Sequence, residues 1–231
     1  MKARKPSAKK GNRKARREPR SDGEATRSRI LEAAGALFAV SGFAHTTAKA
    51  VAKRANVNLA SINYHFESRD GLYRAVLLEA HQRMLSLTEL REVAGSELSA
   101  GGKLKALIDQ LIKQATDQQL GWHLDVLARE VLSPSPYYRE MTQMALSPKL
   151  AVITQVLSEV TRIPLNDPAL LRCFLSAVIP CTMLMLAARG APGPMHDLRQ
   201  MPPEVLTDHL HRFALAGLEA TARDYQRRAA S

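Results

Sequence analysis

The sequence predicts an all-α chain, on three observations. Apolar residues recur at three- and four-residue spacing over most of its length, as the buried stripe of a helix requires. Ala and Leu are abundant while 5% of residues are aromatic, a balance that favours helices over a β-sandwich. No segment alternates apolar and polar residues convincingly, and no internal repeat is visible. At 231 residues and 45% hydrophobic, the chain can bury a sizeable core in one large or two modest domains.

Residues 1–23 are low in complexity and basic, with Pro6, Gly11 and Pro19, and predict a disordered arm. A helical period starts at Glu24: Ile30, Ala34, Leu37, Phe38 and Ser41 share one face, and Gly42 stops it. Thr46 or Thr47 can cap a short second helix whose inward face is Val51, Ala52 and Ala55. Asn56 stands at a sharp reversal that needs positive φ, which Asn tolerates. Asn58 can cap a third short helix ending near Phe66, with Ile62 and Phe66 turned inward. Ser68 can cap a longer fourth, with Asp70 at its positive end and a stripe of Leu72, Val76, Ala80, Met84 and Leu87.

Beyond residue 93 the pattern predicts longer amphipathic helices near 102–118, 122–132, 136–162, 167–189 and 203–227. Gly101-Gly102, the run Ser133-Pro134-Ser135-Pro136 and the stretch from Gly190 to Pro203 punctuate them. The expected organisation is an arm (1–23), a reading domain with its linking helix (24–92) and a helical domain (93–231).

The net charge of +11 is unevenly spread. Ten of the 33 Lys and Arg residues lie in 1–20 against one acid, Glu18, which leaves the remainder nearly neutral. Such a tail suits a polyanion, either nucleic acid or an anionic surface, or serves only to solubilise. No apolar segment follows the charged start as in a secretory signal. Cys173 and Cys181 have neither a zinc spacing nor a disulfide framework, so a reducing cytoplasm fits best. The apolar run 169–188 is interrupted by Arg172, Ser176, Pro180 and Thr182, which favours a buried helix or subunit interface over a membrane span. No nucleophile elbow, phosphate loop or metal motif is present, and His209 and His211 face different sides of a helix. Neither an enzyme nor a cofactor is expected.

Two short helices joined by a tight turn, the second offering polar side chains outward, form a helix-turn-helix. Residues 30–77, ILEAAGALFAVSGFAHTTAKAVAKRANVNLASINYHFESRDGLYRAVL, resemble the TetR family element by element. The likeness rests on the Ala-rich helix ending at Gly42-Phe43, Thr46-Thr47, the turn Ala55-Asn56-Val57-Asn58, Tyr64-His65-Phe66 and Ser68-Arg69. Asn56 replaces the usual turn Gly, Asn63 stands where many members have Tyr, and Arg69 replaces a common Lys. Residues 127–160 are similar to the CecR/YbiH-like C-terminal domain within that family.

The resemblance implies a DNA-binding regulator, a repressor released by a small-molecule effector and acting as a cytoplasmic homodimer on a double-stranded operator, with no membrane partner. Phosphate positioning then falls to Thr47, Tyr64, His65 and Arg69, with Lys49 beside them. Base reading falls to Asn58, Leu59, Ala60, Ser61 and Asn63; none is charged, so an Arg–guanine pair is ruled out within this helix. Trp122, His123, Arg129, Glu130, Tyr138, Met141 and Met185 are candidates to line an effector site, against a plain reading as core or ordinary salt bridges. Residues 167–189 and the face Leu206, Leu210, Phe213, Gly217, Ala220 are candidates for dimerisation. A helical binding or assembly protein whose helix-turn-helix no longer reads DNA is the alternative.

The arm yields a quantitative expectation. Each neutralised phosphate contributes about −0.9 to the slope of log affinity against log salt. With about three to five basic residues engaged, deleting residues 1–20 should flatten that slope by about 3–4 units per subunit, on specific and random DNA alike. Matching salt titrations of the full and truncated chains would show the arm to be a solubilising tail.

Overall fold

The computed structural model describes residues 19–117, 121–187 and 194–230. Most of the basic arm, 1–18, lies outside the described residues. Every regular element among them is helical.

Helix α1 (Pro19–His45) begins before the expected Glu24, and its regular run is broken at Gly42 as expected. Gly42 takes φ 73°, ψ 172°, kinks the chain, and lets one more turn follow. The buried Thr46 hydroxyl donates to the Gly42 carbonyl at 2.9 Å and closes that turn. Thr47, not Thr46, caps α2 (Ala48–Ala55), accepting from the Ala50 amide at 3.1 Å. Asn56 is left-handed at φ 53°, ψ 53°, as the reversal demands. Asn58 caps α3 (Leu59–Phe66), and Ser68 caps α4 (Arg69–Met84) through the Gly71 amide at 3.0 Å. A Cβ on Gly71 would strike the Phe66 carbonyl oxygen, so the α3–α4 corner admits no side chain there.

The fourth stripe runs on less far than expected. Leu85 is extended, and Ser86 caps a separate α5 (Leu87–Ala94), so Leu87 opens a new helix. Helices α6 (Ala100–Thr116) and α7 (Gly121–Leu132) follow close to the expected places. The single helix expected over 136–162 is three pieces: α8 (Tyr138–Met141), a π-helical segment Thr142–Leu146, and α9 (Ser147–Thr161). Pro148 has no N–H to give back to the preceding turn, and the widened turn forms just before it. Pro180 acts alike in the apolar run, which breaks at Val178 into α10 (Ala169–Ala177) and α11 (Ile179–Ala187). Among the described residues, no helix is long and apolar enough to cross a membrane. A short α12 (Pro194–Arg199) occupies part of the expected loop before α13 (Pro203–Ala229).

Two cores result. The first gathers Ile30, Phe38, Val51, Ile62, Leu72 and Val76 from α1–α4, and is completed by Val126 and Leu127 of α7 and Met141 of α8. The second holds Leu90, Leu104, Ile108, Val156, Leu170 and Leu206 from α5, α6, α9, α10 and α13. The cores therefore change over at Leu85, and α5 belongs with the second. Cys173 and Cys181 are free and buried in that second core; burial pushes the Cys181 thiol up to about 11.

Polar contacts lock the two bodies together where α7 meets α1 and α4. Glu130, 3% exposed, accepts from the Tyr73 hydroxyl at 2.6 Å and from the Ser135 hydroxyl and amide at 2.6 and 3.2 Å. Burial, then this hydrogen bond, drives the Tyr73 phenol well above its ordinary pKa. Arg129 donates to the carbonyls of Ala39 and Val40 at 3.1 and 2.8 Å, capping α1 just before its kink. Trp122 bonds Glu32 at 2.7 Å, and its ring lies where any side chain on Gly35 would be.

Glu130→Ala should therefore cost about 2–4 kcal/mol, because it strands the buried Tyr73 hydroxyl and the Ser135 donors. Tyr73→Phe should cost less, and the pair together less than their sum. Urea unfolding of the two single variants and the double variant checks this; additive losses would mean the three groups do not act together.

Candidate nucleic-acid interface

The candidate surface is built on a short helix fixed by very few inward contacts. Only Ile62 and Phe66 of α3 are buried, and they join Val51, Ala52 and Ala55 of α2 in the first core. The cap at Asn58 and the left-handed Asn56 set where α3 starts. Its remaining residues are left facing outward or partly covered.

Of the ten residues expected at this surface, Thr47, Lys49, Asn58, Leu59, Ala60, Asn63 and Tyr64 are exposed. Ser61, His65 and Arg69 are half-buried, and all ten fall between the cap of α2 and the start of α4. Tyr64 is 84% exposed and Leu59 49%, which is unusual for residues with this much apolar surface. Tyr64 rests edge-on against His65, ring centroids 5.0 Å apart.

Three of the ten carry structural duties as well. Thr47 is the α2 cap. The Asn58 Oδ1 accepts from the Ser61 amide at 2.7 Å and its hydroxyl at 2.8 Å, so only the Asn58 amide NH₂ faces outward with donors to spare. Arg69 lies 4.1 Å above the Phe43 ring and donates to the Thr46 carbonyl at 3.3 Å. That stacking pins the start of α4 to the end of α1 while part of the guanidinium stays in solvent. Asn63 makes no side-chain hydrogen bond among the described residues. One cation escaped the sequence reading: Arg27 of α1, exposed and 5.1 Å above the Phe66 ring at the end of α3. It precedes the buried Ile30 by three positions, and the packing of α1 near the end of α3 brings it there.

Among the described residues, most of the side chains expected around an effector meet other parts of the fold. Trp122, Arg129 and Glu130 meet α1, α4 and the Ser135 loop, and Met141 is packed in the first core. His123 is buried and stacked on Trp122 at 3.7 Å, while Tyr138 is 36% exposed. Met185 lies on α11, and its side chain falls outside the described residues. Among the described residues no group of His, Cys, Asp and Glu could hold a metal ion.

Comparison with known proteins gives consistent results for both halves. Residues 30–76 match the profile of bacterial regulatory proteins of the tetR family. Residues 100–221 match that of the C-terminal domain of the HTH-type transcriptional dual regulator CecR. The chain is 28% identical over 138 residues to the probable HTH-type transcriptional regulator YttP of Bacillus subtilis, covering 58% of this chain and 64% of that one. It is 32% identical over 66 residues to the HTH-type transcriptional regulator UidR of Escherichia coli, covering 29% and 34%. The alignments thus span less than two thirds of these relatives. A TetR-like transcriptional regulator from Rhodococcus sp. RHA1 superposes with a TM-score of 0.65 at 17% identity, covering 87% of this chain and 98% of that one. The fatty acid degradation regulator FadR from Bacillus halodurans gives 0.64 at 17% identity, covering 88% and 98%. At such identities the agreement is one of fold.

The geometry separates two asparagines that look alike in sequence. Asn58→Ala removes a helix cap and should cost about 1 kcal/mol of stability, which Asn58→Asp should largely retain. Asn63→Ala should change stability by less than about 0.5 kcal/mol. Thermal unfolding of the three variants decides it, and a large loss at Asn63 would mean that its amide is bonded within the fold.

Proposed function

This chain belongs to the TetR family of bacterial regulatory proteins and carries a CecR-type C-terminal domain, and we propose that it is a sequence-specific, homodimeric transcriptional repressor released by a small-molecule effector. The observation that carries the DNA-binding reading is α3 itself. Two inward side chains hold it, and Asn58, Leu59, Ala60, Asn63 and Tyr64 are left to solvent. A helix that exposes Leu59 and Tyr64 beside the Asn63 amide suits the edge of a base-pair stack, where a thymine methyl and an adenine N6/N7 pair are the matching partners. Thr47, Lys49, His65 and Arg69 flank it in positions suited to phosphates.

Dimerisation is supported by apolar surface on α10, α11 and α13. Leu171, Leu175 and Phe213 are 67%, 61% and 72% exposed, next to a cleft lined by Cys173, Gly217 and Thr221. Pairing these faces would remove them from water and set two α3 helices about one DNA turn apart. Effector release is supported by the second core, a helical body larger than reading DNA requires. The fold neighbour FadR from Bacillus subtilis was solved in complex with stearoyl-CoA. What carries over to this chain is the presence of a ligand, not its identity. The site of action is the cytoplasm.

Gel shifts against genomic fragments, with light scattering of the same sample, test the reading. A dimer should bind selected fragments far more tightly than random DNA. Asn63→Ala should then relax preference at one base position for a loss of about 1–3 kcal/mol. An equal loss on every sequence would make Asn63 a positioning residue, and a monomer that still binds tightly would remove the dimer from the mechanism.

A further inference from the structure

Lys149 enters the protein where α4 ends. It is 6% exposed, and its ammonium donates to the His81 carbonyl at 2.6 Å. A cation at a helix C-terminus meets the negative end of the dipole, which accounts for that one bond. It does not account for the rest. An ammonium has three donors, and Lys149 makes no second hydrogen bond or ion pair among the described residues. The His81 Nδ1 is likewise buried without a partner, in a residue 8% exposed. Burial brings Lys149 down to about 8, so it is still mostly charged near neutral pH. Burial, then Lys149, brings His81 down to about 4 and keeps its ring neutral.

Both groups line one cavity of about 360 Å³, whose other walls include Leu78 of α4, Leu87 of α5, and Met144 and Ala145. The last two come from the π-helical segment, a kind of turn that recurs at functional sites. The volume is at the small end of the range for ligand pockets.

The chemistry of the lining narrows the occupant. A buried cation with no counter-charge is costly, and an anion relieves that cost. A single negative charge matches the single cation; a dianion would bring one charge too many. Leu78, Leu85, Leu87, Met144 and Ala145 call for an apolar body, while Gln82, Ser86 and Thr88 line the remaining wall. We propose that this cavity binds a small organic monoanion, a carboxylate on a short hydrocarbon, with the Lys149 ammonium meeting the carboxylate and the His81 ring hydrogen-bonding beside it. As an effector site it rests on the regulatory reading above, since α4 runs from this cavity to the corner that holds α3.

The test uses the full chain without DNA, so that failure of the site and failure of regulation are distinguishable. Octanoate, octanol and octylamine are titrated by calorimetry, and the histidine ring signals are followed by NMR. Octanoate should bind at least about tenfold more tightly than octanol, octylamine more weakly than either, and the His81 ring signals should shift at saturation. Lys149→Met should erase the preference for octanoate over octanol, and Lys149→Arg should preserve it. Equal affinity for octanoate and octanol, or unmoved His81 signals, would overturn the site even if Lys149→Met fails to fold. In a separate gel shift with operator DNA, octanoate binding that leaves operator affinity unchanged would uphold the site and remove its role as effector.

Discussion

A carboxylate taken out of water must be met by donors on every side, and Glu130 is met from three: the Tyr73 hydroxyl, the Ser135 hydroxyl and the Ser135 amide. These donors come from α4 and from the loop after α7, so the charge is tolerable only with both held at bonding distance. That requirement fixes how α7 lies against α1 and α4. The rings of Phe38, Phe43, Tyr73 and Tyr137 pack around the same point, with neighbouring centroids 4.8 to 6.3 Å apart. Arg129, one residue before Glu130, reaches to the carbonyls that α1 leaves open at its kink. Two adjacent residues of α7 thus set the attitude of the whole N-terminal body.

The surface carrying α3 is organised on the opposite principle. Its order comes from a cap, a left-handed asparagine and two inward side chains. No outward residue of α3 except Asn58 is needed to build it, and Asn58 does so with its oxygen alone. The outward positions are free to differ in chemistry without disturbing the fold, which is what a surface that distinguishes one sequence from another requires.

This division explains what could be read from the sequence. Caps and reversals act over three or four residues, so Asn56, Asn58 and Ser68 were legible, as were the inward Ile62 and Phe66. Thr46 and Thr47 could not be told apart, because the choice depends on the Gly42 kink. The break at Ser86 was missed because the apolar spacing continues across it into α5. Pro148 and Pro180 were visible as residues, but not the turns that accommodate them. Trp122, Arg129, Glu130 and Met141 are the instructive group. A buried aromatic or a buried charge in a helical domain has the same sequence signature whether its partner is a ligand or another helix, and here the partners are α1, α4 and the loop after α7. Lys149 carries no local signal of burial at all.

The shared first core bears on how such a chain can be inherited. Val126, Leu127 and Met141 close a side of the N-terminal body that α1–α4 leave open, and Arg129 supplies the cap that α1 lacks. A recombination breakpoint in the linker after α4 would separate the reading head from its own lid. The transferable module is therefore discontinuous in sequence: the head together with α7 and the start of α8. A chimaera that grafts this head onto another sensing domain must bring those segments along, or rebuild the Tyr73 and Arg129 contacts from the recipient's side.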